Sequence, residues 1–296
     1  MDGILLIDKP SGPTSHDVVA RLRRSTGERS IGHTGTLDPR ATGLLPLVLG
    51  RATRLASLLT GGDKTYDATI RLGFATGTDD ADGAPVGPVA DARPDDAAID
   101  AALDRFRGPI EQRPPAHSAK KVGGHRAYEL ARRAKPVALS PVQVTVHRLE
   151  RTGRDGDCVY LSVTATSGFY VRALARDLGD ALGCGGHLLA LRRTRSGPFH
   201  VDQAMPLDAA ERAGAEVASR LVSPADALPH LPVVTVTEPG LRRATHGNPL
   251  LPEHLEGRWV PLPTGSQPVK VLDPEGRLVA LAHSRGGALH PVVVLG

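Results

Sequence analysis

Aromatic residues are scarce in this 296-residue chain, where phenylalanine, tryptophan and tyrosine together make up 3% of the sequence. The two cysteines, Cys158 and Cys184, are too few for a disulfide framework or a four-ligand zinc site, and we interpret them as small buried side chains. No apolar run is long enough to span a membrane, and the N-terminal apolar run is too short for a signal peptide. These absences predict a cytoplasmic protein without membrane contact.

Several cofactor and catalytic signatures are also missing. The sequence has no Walker phosphate loop, no dinucleotide-binding glycine fingerprint, no Gly-x-Ser-x-Gly and no His-Glu-x-x-His. The acidic stretch Asp79-Asp80-Ala81-Asp82-Gly83 lacks the terminal glutamate and the twelve-residue frame of a calcium loop, so we interpret it as a solvated turn. We therefore expect no cofactor and no metal site.

Charge is unevenly distributed along the chain, although the net charge is only +4. The segment from Asp79 to Asp104 holds eight acids and one base, a net charge of −7. The next segment, Arg105 to Lys135, holds nine bases and two acids, a net charge of +7. Such segregation favours a surface that binds a polyanion. A solvated face of mixed charge is the alternative.

One stretch, Gly32 to Pro46, has the sequence GHTGTLDPRATGLLP. It carries a carboxylate, Asp38, on a polar loop that leads directly into an apolar run, an arrangement that holds a reactive group rigid. Pro39 restricts the chain immediately after the carboxylate. A lone Gly-Thr-Leu-Asp-Pro would be explained at least as well by an ordinary surface turn.

The complete stretch closely resembles the catalytic signature of the TruB family, the tRNA pseudouridine synthases that isomerise uridine 55 in the T loop. This resemblance implies that Asp38 is the catalytic carboxylate and that the partner is tRNA, bound through its T stem-loop. It also implies an enzyme that needs no cofactor and no protein partner and acts as a monomer.

The resemblance extends to residues that would receive the target base. Tyr66 opens an alternating strand, Lys64 to Leu72, and would stack on the uracil. Tyr170 and Arg172 match a Tyr-x-Arg pattern in which the arginine pairs with the catalytic aspartate, here Asp38. Leu191 would line the uracil pocket, although a leucine in an apolar strand is ordinarily core.

Further residues follow from the same resemblance. His33 would take the space left by the flipped bases, and Lys9 would lie close to the catalytic loop. The basic segment resembles an RNA-binding insertion at about residues 105–135, with Lys120, Lys121 and Arg126 as RNA contacts. Prolines and glycines around the two lysines predict a mobile arm that becomes ordered on RNA.

The predicted fold class is α+β, a pseudouridine synthase fold with a central mixed or antiparallel sheet flanked by helices. We expect a catalytic domain at residues 1–229 and a small β-rich, PUA-like RNA-binding domain at residues 230–296. Locally, Ser15 is predicted to cap a helix that stops near Gly27. A second amphipathic helix is predicted from Asp95 to Arg107.

Two other functions stay open at this point. The chain could act chiefly as a tRNA-folding chaperone, or as a guide-RNA-dependent enzyme like the related dyskerin group. For the isomerisation itself, the aspartate could add covalently to the sugar or base, or remove a ribose proton to give a glycal. The sequence is compatible with either route.

Overall fold

The structure, a computed structural model, describes residues 1–90, 93–115, 121–122, 125–126, 139–257, 260, 263 and 267–296. Its chain forms two compact units. The first unit contains Met1–Asp38, Leu45–Thr60 and Pro198–Gly296, and the second contains Pro39–Leu44 and Gly61–Gly197. The chain passes from the first unit to the second between Asp38 and Pro39, within the motif that resembles a catalytic signature. The domains at 1–229 and 230–296 stay a prediction.

The described residues form six α-helices and eighteen strands. The helices are α1 (Ser15–Thr26), α2 (Ala56–Thr60), α3 (Asp96–Asp104), α4 (Val171–Ala181), α5 (Leu207–Ala213) and α6 (Glu238–Thr245). The first nine strands are β1 (Gly3–Lys9), β2 (Ile31–His33), β3 (Thr42–Leu49), β4 (Lys64–Leu72), β5 (Ala75–Thr76), β6 (Pro85–Val86), β7 (Gly108–Gln112), β8 (Lys121–Val122) and β9 (His125–Arg126). The others are β10 (Val142–Asp155), β11 (Cys158–Ala165), β12 (Gly186–Ser196), β13 (Phe199–His200), β14 (Met205–Pro206), β15 (Val233–Thr235), β16 (Val269–Leu272), β17 (Leu278–Arg285) and β18 (Ala288–Val294).

The second unit is built on strands in the order β12-β4-β11-β10-β7, each antiparallel to its neighbour. The first residues of β3 pair in parallel with β12. Parallel and antiparallel pairs thus occur side by side, and the predicted mixed α+β class is confirmed. Helices α3 and α4 supply apolar side chains to the same core as β4 and β11.

Strand β4 shows why the alternation in the sequence was informative. Its bounds, Lys64–Leu72, are those predicted. Ala68, Ile70 and Leu72 are buried in the core, whereas Asp67 and Arg71 on the other face are exposed. Because successive side chains of a strand point to opposite faces, a half-buried strand needs no long-range information to be recognised.

The first unit contains two groups of strands. Strand β1 pairs in parallel with β14 and neighbours β3, which in turn pairs antiparallel with β2. The chain after residue 230 forms a separate four-stranded sheet, β15-β16-β17-β18, with its own apolar core. The predicted β-rich character of this segment agrees with the structure, and its likeness to a PUA module stays a prediction.

Helix α1 corrects one local prediction. Its N-cap is Thr14 and not Ser15: the Thr14 hydroxyl accepts the Asp17 N–H at 3.0 Å, and the Asp17 carboxylate accepts the Thr14 N–H at 2.8 Å. This reciprocal pair is a capping box, which a serine followed three residues later by Val18 cannot form. The helix ends at Gly27, as predicted, where φ is 73°.

Gly43, in β3, is required by a close approach of two backbones. It pairs with Arg193 of β12 and has a φ of +95°. A Cβ atom built on Gly43 would lie 2.3 Å from the Arg193 carbonyl oxygen and 2.8 Å from its nitrogen. Only glycine combines this φ with this contact, so the residue fixes how closely the motif strand packs on β12.

We expect Gly43→Ala to lower the free energy of unfolding by about 1–3 kcal/mol more than Gly73→Ala, since the added methyl overpacks the sheet. Gly73 is the matched control because its φ is +109° and a Cβ there has no neighbour within 4 Å. Its alanine variant therefore carries the backbone strain without the clash. Urea denaturation of both variants measures the difference, and equal losses would contradict the close-approach explanation.

Candidate active site

The loop that carries Asp38 lies between β2 and β3 and is anchored on both sides. The buried Ser15 hydroxyl donates to the Leu37 carbonyl oxygen at 3.1 Å and accepts the Leu37 N–H at 2.9 Å. On the other side, the Thr34 N–H donates to the Pro46 carbonyl oxygen at 3.1 Å. The half-buried Asp38 is therefore carried by a backbone that cannot shift without losing buried hydrogen bonds.

His33 and Lys9 belong to the first unit, as Asp38 does. His33 ends β2, and its ring meets the exposed His16 ring edge to face, with 5.3 Å between centroids and 82° between planes. Lys9 ends β1 and is fully buried, and its ammonium donates to the Pro10 carbonyl oxygen at 2.9 Å. The Lys9 ammonium is therefore held inside the first unit, with one of its hydrogen bonds made to the next residue in the chain.

Tyr66 and Leu191 come together in the second unit. In the pairing of β4 with β12, Leu191 lies opposite Ala68 and Arg193 lies opposite Tyr66. Alternation along both strands puts these side chains on one face of the sheet. Tyr66 and Leu191 are each partly exposed and pack against the core of the second unit. They therefore offer an aromatic and an aliphatic surface on the same face.

Tyr170 and Arg172 lie at the start of α4, where Tyr170 is the N-cap residue. The side chain of Gln112 holds this end of the helix: its amide oxygen accepts the Tyr170 N–H at 2.7 Å, and its amide nitrogen donates to the Tyr170 carbonyl oxygen at 3.0 Å. Gln112 is 1% exposed, so both bonds are sheltered from water. The backbone that presents Tyr170 is thereby fixed to the end of β7.

The acidic turn at Asp79, Asp80 and Asp82 holds three arginines, and its interpretation as a solvated turn was wrong. Arg172 lies 3.4 Å from the Asp80 carboxylate and Arg176 lies 2.9 Å from that of Asp79. The side chains of Asp79 and Asp80 are 16% and 20% exposed. Burial raises the pKa of the Asp79 carboxyl, and the neighbouring Arg176 opposes this shift. The third acid pairs with Arg40, two residues after Asp38 in the chain.

Sequence reasoning missed these pairs because the acids and their partners are distant in the chain. Arg172 and Arg176 follow the turn by more than ninety positions, and Arg40 precedes it by about forty. One signal was available: Arg172 and Arg176 are four residues apart on a helix, which places both on one face. A helical pair of arginines requires acidic partners when that face is buried.

Arg193 is a second site residue that sequence reasoning overlooked. It is 1% exposed, its Nε donates to the Leu44 carbonyl oxygen at 2.8 Å, and it lies opposite Tyr66 in the pairing of β4 with β12. Burial lowers the pKa of this guanidinium, a group that stays cationic in proteins. Its position two residues after Leu191 already indicated the core-facing side of β12.

Lys64, at the start of β4, shares this region of the second unit. It is 6% exposed, and its ammonium donates to the Gly62 carbonyl oxygen at 2.6 Å. Burial, reinforced by the positive charge of Arg193 and opposed by Asp63, lowers the pKa of Lys64 to about 8. Two cationic side chains thus lie near Tyr66 with little access to solvent.

The predicted RNA contacts are only partly within the described residues. Lys120 lies outside them, and Lys121 and Arg126 are described as a paired position of the β8-β9 hairpin. Within the described ranges, no three His, Cys, Asp or Glu side chains are grouped as a metal site would need. Of the helices in those ranges, none has the length and apolar character to cross a membrane.

Comparison with known proteins gives the same family over nearly the whole chain. Residues 23–171 match the model of the TruB family pseudouridylate synthase N-terminal domain. Residues 172–228 match the tRNA pseudouridylate synthase B C-terminal domain, and residues 253–296 match the tRNA pseudouridine synthase II C-terminal domain.

Individual relatives agree with the family models. A tRNA pseudouridine synthase B of Thermobifida fusca is 45% identical over 99% of this chain and 98% of its own length. Another, from Mycobacterium tuberculosis, is 51% identical over 70% of each chain. Among solved structures, an H/ACA RNP bound to a substrate RNA containing 2′-deoxyuridine has a chain with a TM-score of 0.76 and 26% identity, over 99% of this chain and 85% of that one.

The lowered pKa of Lys64 predicts a pH-dependent stability. Because Lys64 titrates near pH 8 when folded and near its ordinary value of 10.5 when unfolded, the unfolded chain binds more protons between these values. The free energy of unfolding should therefore rise with pH across this window, by up to about 3 kcal/mol. In Lys64→Met this contribution disappears. Denaturation of the parent protein and of Lys64→Met at several pH values isolates the contribution of Lys64. A difference in free energy of unfolding that does not change with pH would refute the lowered pKa of Lys64.

Proposed function

This chain belongs to the TruB family of pseudouridylate synthases, and we propose that it acts on uridine 55 in the T loop of tRNA with Asp38 as the catalytic carboxylate. The chain is an isomerase that converts uridine to pseudouridine in tRNA. The position of the target uridine and the roles of individual side chains are the proposed part.

The acidic turn carries the assignment of Asp38. Its Asp80 pairs with Arg172, the arginine proposed to pair with the catalytic carboxylate, and its Asp82 pairs with Arg40. Since Arg40 follows Asp38 by two residues, one turn binds both the proposed partner of Asp38 and the chain next to Asp38. An arginine held in this way keeps a carboxylate ionised and oriented.

The remaining side chains have complementary proposed roles. Tyr66 stacks on the uracil, and Leu191, on the same sheet face, shields it from water. Tyr170 bounds the base from the start of α4, while His33 fills the space that the flipped bases leave. Extraction of the base costs a few kcal/mol of stacking, which aromatic and aliphatic contacts offset. Lys9 supports the site from inside the first unit.

The isomerisation is redox-neutral and needs no group donor. The N1–C1′ bond breaks, the uracil turns, and a C5–C1′ bond forms while C5 loses its proton and N1 gains one. A single ionised carboxylate suffices, either as a nucleophile or as a base that removes a ribose proton. Both routes are compatible with Asp38 on an anchored loop.

Binding of tRNA is proposed to involve the basic insertion at about residues 105–135, through Lys120, Lys121 and Arg126. The PUA-like segment at residues 230–296 would act as a second RNA clamp beside a catalytic domain at residues 1–229. We further infer that the protein acts as a cytoplasmic monomer without a guide RNA or protein partner. The guide-RNA and chaperone alternatives are not favoured by the comparisons.

The direct experiment is incubation of the purified protein with a tRNA transcript, followed by mapping of pseudouridine at single-nucleotide resolution. We expect modification at uridine 55 without added cofactor. A second transcript with cytidine at position 55 is the control and should stay unmodified. Modification confined to other positions would refute the proposed target.

Asp38→Asn should abolish measurable turnover while tRNA binding stays within about threefold of the parent. The amide keeps the size and loop position of the side chain but can neither attack carbon nor take a proton. Asp208→Asn is the control, since Asp208 is an exposed carboxylate paired with Arg212. Single-turnover rates and filter binding separate chemistry from affinity. Appreciable turnover by Asp38→Asn would remove it from catalysis.

Asp80→Asn should slow the reaction by about 10-fold, because Arg172 loses the charge of one of the groups that hold it, the carboxylate 3.4 Å away. Asp79→Asn is the matched control. It alters the same turn but releases Arg176 instead, and asparagine tolerates the φ of 62° at that position. If the two variants lose equal activity, the turn matters only as a whole, and its specific action on Arg172 is excluded.

A further inference from the structure

We propose that Arg193 is the positioning residue of Tyr66: its buried guanidinium fixes the phenol group, and so sets the plane on which the uracil stacks. This inference rests on the proposed function of Tyr66. Arg193 does not touch the base in this scheme and acts only through the tyrosine.

The burial of Arg193 is the first observation. Among the described residues, Arg193 is the largest fully buried side chain, with 1% exposure. A guanidinium loses several kcal/mol of hydration on burial, which only well-formed hydrogen bonds offset. One described donation goes to the Leu44 carbonyl oxygen, and the Tyr66 side chain lies on the same sheet face directly opposite Arg193. An apolar residue would fill the same space without this cost, so the charge has a use beyond packing.

Strand register is the second observation. Within the second unit, Arg193 lies opposite Gly43 of β3 on one side and opposite Tyr66 of β4 on the other. The missing side chain of Gly43 allows the two backbones to approach. Through Leu44, the guanidinium is bound to the strand that directly continues the Asp38 loop. The orientation of the Tyr66 phenol is thereby set, through Arg193, by β3 and not by contacts with solvent.

The chemistry of the two groups gives the contact its direction. A guanidinium has five N–H donors and no acceptor, so the phenol oxygen must be the acceptor. With its oxygen fixed, the tyrosine cannot rotate its ring freely. A positive charge beside the oxygen also stabilises negative charge there, and so favours any step in which the phenol gives up its proton.

The kinetic test is a double-mutant cycle with single-turnover rates and tRNA affinity as readouts. Arg193→Gln should reduce the rate by about 10- to 150-fold with little change in affinity. The same substitution in a Tyr66→Phe background should reduce the rate by less than about threefold, since the acceptor is already absent. Arg195→Gln, on the same strand but with a donation to Gly197, is the matched control and should react normally. Equal losses from Arg193→Gln in both backgrounds would overturn the proposal.

A second measurement covers the case in which Arg193→Gln fails to fold. Tyr66→Phe alone should raise the unfolding equilibrium constant by about 5- to 150-fold, because it removes one acceptor of the buried guanidinium. Tyr160→Phe, an exposed tyrosine on the neighbouring strand β11, should change it by less than twofold. Equal stability of the two variants would overturn the proposal. This measurement does not depend on activity, so it separates failure of the Arg193 contact from failure of the proposed function.

Discussion

Buried positive charge is the constraint on which the second unit depends. Arg172 and Arg193 are both buried there, and each must find acceptors within the fold because water cannot supply them. Arg172 obtains a carboxylate from Asp80, whereas Arg193 donates to the Leu44 carbonyl oxygen and lies opposite Tyr66. Leu44, Tyr66 and Asp80 lie on three separate stretches of chain, so the two cations lie against segments that are distant in the sequence.

The features that could be predicted from the sequence are those that depend on residues close together in the chain. The β4 alternation gave a strand with correct bounds, and Gly27 gave the end of α1. The prediction of Ser15 as the helix cap failed because it overlooked Asp17, which forms a capping box with Thr14; that Ser15 instead binds Leu37, more than twenty residues away, had no local signal. The acidic turn and Arg193 failed for the same reason, since their partners come from other strands and helices. Asp38 was found only because a long contiguous motif surrounds it.

The correction at α1 has a structural meaning. If Ser15 were the cap, its hydroxyl would be bonded to the N-terminal N–H groups of α1. Thr14 and Asp17 make those hydrogen bonds instead. Ser15 is therefore available to bind both backbone groups of Leu37, immediately before Asp38. One of the two anchors of the Asp38 loop is thus the Ser15 hydroxyl, which the capping box leaves available. A shift of the cap by one residue would have left the loop without this anchor.

The base of the basic insertion is held by the same helix that presents Tyr170 and Arg172. Gln112, the last residue of β7, holds the Tyr170 backbone, and Arg176 donates to the Arg113 carbonyl oxygen at 3.0 Å. Arg176 also pairs with Asp79 of the acidic turn. The chain at Gln112 and Arg113 is therefore fixed to α4 on one side and, through Arg176, to the turn that holds Arg172. Hydrogen bonds of 2.7 to 3.0 Å thus hold the chain at Gln112 and Arg113, where the described part of the insertion's first half ends, against the helix that carries Tyr170 and Arg172.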